Sequence, residues 1–130
     1  MIRSDSTMAQ QIGQAALAFE QIRTGHTSES VTVVLSDNTL VITLHGALSR
    51  AEKALASTPA GAAQVQEFHR QLFRDSANTL SQDIQRITGI EVREDGVEIV
   101  TARGTVVQVF LLARNVPEES WSGSGSINHS

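Results

Sequence analysis

The sequence predicts an α+β domain: two antiparallel β-hairpins packed against helices, in the order α-β-β-α-α-β-β, with one long helix. Three observations carry this. The runs SVTVVLS and TLVITLH flank Asp37-Asn38, a pair suited to a tight hairpin turn. Apolar residues then recur at three- and four-residue steps for about 30 residues after Pro59. Two further strand-like runs, IEVREDGVEIVTA and TVVQVFLLA, follow that helix.

The first helix is predicted to start at Thr7, because Thr7-x-x-Gln10 has capping-box spacing. Ile12, Ala16, Phe19 and Ile22 form its apolar stripe, and Gly25 stops it. In the first hairpin, setting Ser36 opposite Thr39 places Leu35 against Leu40, Val33 against Ile42 and Val31 against Leu44. One face is then wholly aliphatic. The other carries Val34 with Val41, Thr32 with Thr43 and Ser30 with His45, and is the more polar, outward side. Gly46 ends the second strand, and Ser49-x-x-Glu52 is a second capping box, opening a short helix over residues 50–56. Thr58-Pro59 restarts the chain as cap and first helical residue, since Pro59 would kink a continuing helix.

The third helix is expected over Pro59–Thr88, about 45 Å long at 1.5 Å per residue. Val65, Phe68, Leu72, Leu80, Ile84 and Ile87 make its stripe, with Ser76 in the middle, and Gly89 ends it. A helix longer than the domain is wide asks for a partner along part of its length, which predicts a homodimer. The next run is either one bent strand or a strand interrupted at Asp95-Gly96, and it turns through Arg103-Gly104 into the last strand. One domain is thus expected over residues 1–113. Residues 114–130, RNVPEESWSGSGSINHS, have the composition of a flexible tail.

Composition narrows the function classes. Forty per cent hydrophobic and 18% charged residues describe a globular chain, and four Phe with one Trp leave its core to Val, Ile, Leu and Ala. With no Cys there is no disulfide framework and no thiolate chemistry. A formal net charge of −4 and ten scattered Lys and Arg argue against nucleic acid as a partner. No apolar stretch reaches the roughly 20 residues of a membrane span, so direct insertion is not expected. The N-terminal MIRSDSTMAQQ has no signal-peptide core, which predicts a cytoplasmic protein.

Candidate functional groups gather at the corner between Gly46 and Gly61. His45 at the strand end has the chemistry of an acid, base or ligand, against a plain reading as a polar-face residue. Ser49 and Thr58, with Gly61, place two helix starts close in sequence, where N–H groups can hold a small anion; ordinary capping is the simpler account. Glu52 argues against an anion there, and Lys53 answers it only by reaching back. A site joining His45, Glu52 and His69 requires tertiary folding, and no spacing signals a metal centre or a cofactor. Arg70, Arg74, Asp75, Asp83 and Arg86 read as a solvated face of the long helix.

The run LHGALSRAEKALASTPAGAAQVQEFHRQLF, then ITGIEV and a last strand ending in Phe110-Leu111-Leu112, resembles the MpsC-like family of small domains. Its match lies in Gly46, Leu48, Ser49, Ala51, Glu52, Lys53, Leu55 and Ala56, with Gly61, Gly89 and Phe110 also in place. The resemblance spans roughly residues 9–112 and departs from the family between the last strands, where the apolar GVEIVTA replaces a polar segment. It supplies no catalytic residues. It implies an accessory to an ion or inorganic-carbon transport system, with a membrane transport subunit as partner. The leading reading of the whole is a non-enzymatic accessory or regulatory interaction module, dimeric through its long helix. The alternative is a small-anion sensor using His45, Ser49, Glu52, Lys53, Thr58 and Gly61. A third reading is an enzyme working through His45 and Glu52.

Overall fold

Thr7 opens helix α1 (Met8–Thr24) with a complete capping box. Its hydroxyl accepts the Gln10 N–H at 3.1 Å, and Gln10 Oε1 accepts the Thr7 N–H at 2.8 Å. The computed structural model describes residues 6–122. Strands β1 (Ser30–Ser36) and β2 (Thr39–His45) pair in the register expected from their sequences, from Ser36 opposite Thr39 to Ser30 opposite His45. In the turn it is Asp37 that takes positive φ, 55°. Asn38 instead donates its side-chain amide to the Leu112 carbonyl at 2.9 Å, tying the turn to the far end of the chain.

Helix α2 (Arg50–Leu55) and helix α3 (Pro59–Thr88) start on the predicted caps, Ser49 and Thr58, and α3 runs unbroken to Gly89. Strand β3 (Val92–Val100) continues through Asp95-Gly96 as one strand; its irregularity lies earlier, in a register shift between Val92 and Glu94. Strand β4 (Thr105–Leu112) pairs with β3 on one side and β2 on the other. The hairpins therefore fuse into one antiparallel sheet, ordered β1-β2-β4-β3.

Both long helices lie on one face of that sheet, α1 mainly over β1 and α3 over β3. Leu40, Ile42, Leu44, Ile99, Val106, Phe110 and Leu112 meet Ile12, Ala16, Phe73, Ala77, Leu80 and Ile84 in a single core. Each fully buried aliphatic or Phe side chain contributes roughly 1.5–3 kcal/mol. The two-layer α+β architecture is the predicted one. The other sheet face, with Val34, Val41, Val107 and Val109, stays partly or fully open among the described residues.

Three expectations are corrected. The buried side of α1 is Ile12, Gly13, Ala16 and Glu20, whereas Ile22 is 78% exposed. The buried side of α3 is Gly61, Val65, His69, Phe73, Ser76, Ala77, Leu80 and Ile84, so the stripe passes through His69 and leaves Phe68 half exposed. Because burial extends along α3 from Gly61 to Ile84, its length gives no argument for a second copy. Finally, packing does not stop at Ala113. Val116 is buried and Trp121, in the short helix α4 (Glu118–Trp121), packs against the core. The remainder of the expected tail, residues 123–130, lies outside the described residues, as do residues 1–5 of the expected domain.

Candidate functional site

Gly46 leads the chain out of β2 at φ 64°, where any Cβ would lie 2.6 Å from the Glu29 side chain. His26 Nε2 sits 2.9 Å from the Gly46 carbonyl and ties the preceding loop to this corner. Ser49 then caps α2, its hydroxyl accepting the Glu52 N–H at 3.2 Å. The Glu52 carboxylate is divided between two tasks. Its Oε1 accepts the Ser49 N–H at 2.8 Å, completing the capping box, and its Oε2 lies 2.8 Å from His69 Nε2 on α3. His69 is 7% exposed and the Glu52 side chain 20%, so this is a largely buried carboxylate–imidazole contact joining α2 to α3.

The second helix start is just as tightly occupied. Thr58 Oγ1 accepts the Gly61 N–H at 3.0 Å. A Cβ on Gly61 would fall 1.7 Å from the Leu55 carbonyl oxygen, so the end of α2 rests directly on the first turn of α3. Glycine permits this close approach.

The corner thus brings together Ser49, Glu52, Thr58 and Gly61, and adds His69. It does not bring in His45, which faces the opposite side of the sheet and pairs with the Thr32 hydroxyl at 2.9 Å. The three-residue site of His45, Glu52 and His69 is therefore reduced to its last two members. Lys53 runs alongside Gly104 and lines an open pocket of about 450 Å³ with Ser57, Thr101 and Arg103. No group of three or more His, Asp or Glu side chains among the described residues is placed to hold a metal ion.

Behind His69 lies a cavity of about 50 Å³ between α1, α3 and the sheet, lined by Glu20, Thr24, Ser76 and Gln108 among apolar side chains such as Phe19, Leu44 and Phe73. Its polar groups are mostly committed. Glu20 accepts the Ser28 N–H at 3.0 Å and its hydroxyl at 2.7 Å, Thr24 donates to the Glu20 carbonyl at 2.9 Å, and Ser76 donates to the Leu72 carbonyl. Gln108 Oε1 is buried without a protein partner. The space exceeds the roughly 10–15 Å³ that one water molecule needs.

Glu20, Ser28, His26 and Gln108 were missed from the sequence. For Glu20 a signal existed: Ile12, Ala16 and Glu20 stand at steps of four, which places the carboxylate on the buried side. His69 carries the same signal, at steps of four from Gly61 and Val65. Gln108 carries the strand form of the same signal, at steps of two with Val106, Phe110 and Leu112, while nothing local marks Ser28.

Chemically, a carboxylate-held imidazole is one half of an acid–base arrangement. Here the carboxylate also serves a helix cap, and the two cavity hydroxyls, those of Thr24 and Ser76, donate to main-chain carbonyls of their own helices. The contact clasps α2 to α3. No curated protein and no solved structure gives a significant match to the chain. A family model does match residues 4–114, which take in α1 through β4, and it is described as the Na+-translocating membrane potential-generating system (MpsC). On that match the chain belongs to the MpsC family.

Proposed function

We propose that this chain is a non-enzymatic accessory subunit of a Na+-translocating transport system, acting on the cytoplasmic side as a homodimeric docking module. The observation that carries the reading is the family match over the whole α+β domain. Among the described residues no helix is long and apolar enough to cross a membrane, so in this reading the ion path belongs to another chain. The absence of catalysis is supported by the clasp, since Glu52 is divided between its cap and His69. His45 stands apart on the other sheet face.

A small-anion sensor at the corner has less support. The N–H groups of Glu52 and Gly61 already donate to Ser49 and Thr58, and Lys53 lies beside Gly104. The test is to isolate the tagged chain with detergent-solubilised membranes from its native cells. Recovery of a membrane-spanning ion-transport subunit is the expected result. Recovery of the chain alone, together with thermal stabilisation by bicarbonate or phosphate, would overturn the accessory reading in favour of the sensor.

A further inference from the structure

We propose that β1 is the seam of a homodimer, pairing antiparallel with β1 of a second copy about Val33 so that one sheet runs through both molecules. The proposal rests on the accessory reading only in taking the homodimer as the working state.

The sheet has two free edges among the described residues, β1 and β3, and they are built differently. β3 carries Arg93, Glu94, Asp95 and Glu98 and a register shift near its start, devices that discourage edge pairing. β1 has none of them. Its seven residues, SVTVVLS, include no charge, proline or glycine. Alternate residues of an edge strand direct N–H and C=O groups outward, and here those groups meet no neighbouring strand among the described residues.

The charge distribution leaves this edge as the part of the surface where a second copy can approach. The chain has a formal net charge of −4, so two copies repel over most of their surfaces. The edge is the exception. Neither residues 7–19 of α1 and its cap nor the whole of β1 contains a charged side chain. Depletion of charge is the compositional mark of an interface centre. A strongly basic or acidic partner would find nothing to read here.

The order of residues makes the edge self-complementary. Pairing about Val33 sets Val33 opposite Val33, Val31 opposite Leu35, Thr32 opposite Val34 and Ser30 opposite Ser36 of the other copy. The pairs on the inner face are aliphatic on both sides and the end pairs are serines, while Thr32 with Val34 joins a hydroxyl to an aliphatic. Each pair stays on its own sheet face, and Glu29 and Asp37, one position beyond the strand at either end, come opposite each other. Beneath the edge, Ala9, Gln10, Gly13, Gln14, Val31 and Val33 line an open groove of about 260 Å³. In the paired state the same groove of the second copy meets it, and the two α1 helices lie side by side through small and amide side chains.

The chain's lack of cysteine makes the register testable. In Val33→Cys the two thiols come directly opposite, with Cα atoms about 4.5–5.5 Å apart, inside the range for a disulfide. In Val31→Cys they are separated by roughly 13 Å, four strand residues. Mild oxidation is expected to cross-link the first variant and leave the second uncross-linked. Sedimentation of the unmodified full chain is expected to give twice 14.0 kDa. Thr32→Lys combined with Val34→Lys, both exposed on the outer face, is expected to return it to a single 14.0 kDa species with its circular dichroism preserved. Mixing that variant with Thr32→Glu/Val34→Glu is expected to restore the dimer. A monomeric unmodified chain, equal cross-linking of both cysteine variants, or a lysine variant that stays dimeric would each overturn the proposal. The accessory reading has its own readout. Failure of the seam with a transport subunit still co-purifying removes the dimer alone, while an intact seam without that subunit removes the partner.

Discussion

Replacing Gly61 with alanine separates two physical effects of opposite sign. Helix propensity alone predicts a gain, up to about 1 kcal/mol in a helix interior and less in a first turn. The packing predicts a loss. A new Cβ would stand 1.7 Å from the Leu55 carbonyl oxygen and 2.7 Å from its carbon. An ordinary C···O contact is about 3.3 Å, so the end of α2 must retreat by roughly 1.6 Å. Both atoms at fault are main chain, which leaves no rotamer to relieve the overlap. The retreat also strains the Thr58 cap, whose oxygen would lie 3.1 Å from the same Cβ. Overpacking of this kind costs roughly 1–3 kcal/mol, and a weakened cap about 1 more. The net expectation is a loss of about 1–3 kcal/mol, or a Tm lower by roughly 4–12 °C for a chain of this size. Thermal unfolding followed by circular dichroism reads it directly. Gly96→Ala, where nothing lies within 4 Å of the new Cβ, controls for the substitution itself. A Gly61→Ala protein with unchanged or raised Tm would refute the contact between α2 and α3.

Other side chains give sharper or milder responses. Glu52→Ala removes both the Ser49 N–H acceptor and the partner of buried His69, so urea unfolding should show a loss of about 2–4 kcal/mol. Glu52→Gln keeps a capping-box residue and should lose less than half of that, and equal losses in the two variants would contradict the divided role of the carboxylate. Ser28→Ala leaves Glu20 with the Ser28 N–H but without the hydroxyl, and a loss of about 1–3 kcal/mol by the same measurement is expected. His45→Ala, on the open face with only the exposed Thr32 bond, should change stability by no more than about 0.5 kcal/mol. A large loss there would show that His45 holds structure.

Most of the fold was legible because its punctuation is local. Thr7-x-x-Gln10, Ser49-x-x-Glu52 and Thr58-Pro59 are read off neighbouring residues, and each cap forms as written. The first hairpin's register follows from turn length and alternation alone. The pairing of β2 with β4 was not legible, since it joins residues far apart with no turn between them. The interior of the corner was half legible. Steps of three and four allow more than one stripe on a helix, and choosing the more hydrophobic one placed Phe68 and Ile22 inward. The helices instead bury His69 and Glu20, polar groups that the fold satisfies through Glu52 and Ser28. Hydrophobicity alone cannot rank such positions, because a buried polar group costs little once its partner is in place. The close of the chain was misjudged for a related reason. Val116 and Trp121 are apolar residues scattered among Pro, Ser and Glu, and composition averages them away.

The central pairing of β2 with β4 also sets a timetable. Its partners lie between 62 positions apart, Leu44 with Val106, and 72 positions apart, Thr39 with Leu111. At about 5–20 residues per second, a ribosome needs several seconds to deliver the second strand after the first. During that interval the N-terminal hairpin is a two-stranded ribbon, which is marginal in water on its own. Its aliphatic face is incompletely covered, and both its edges are open. The nascent chain is therefore most prone to mispairing before residue 112 emerges, and translation speed across α3 governs how long that exposure lasts.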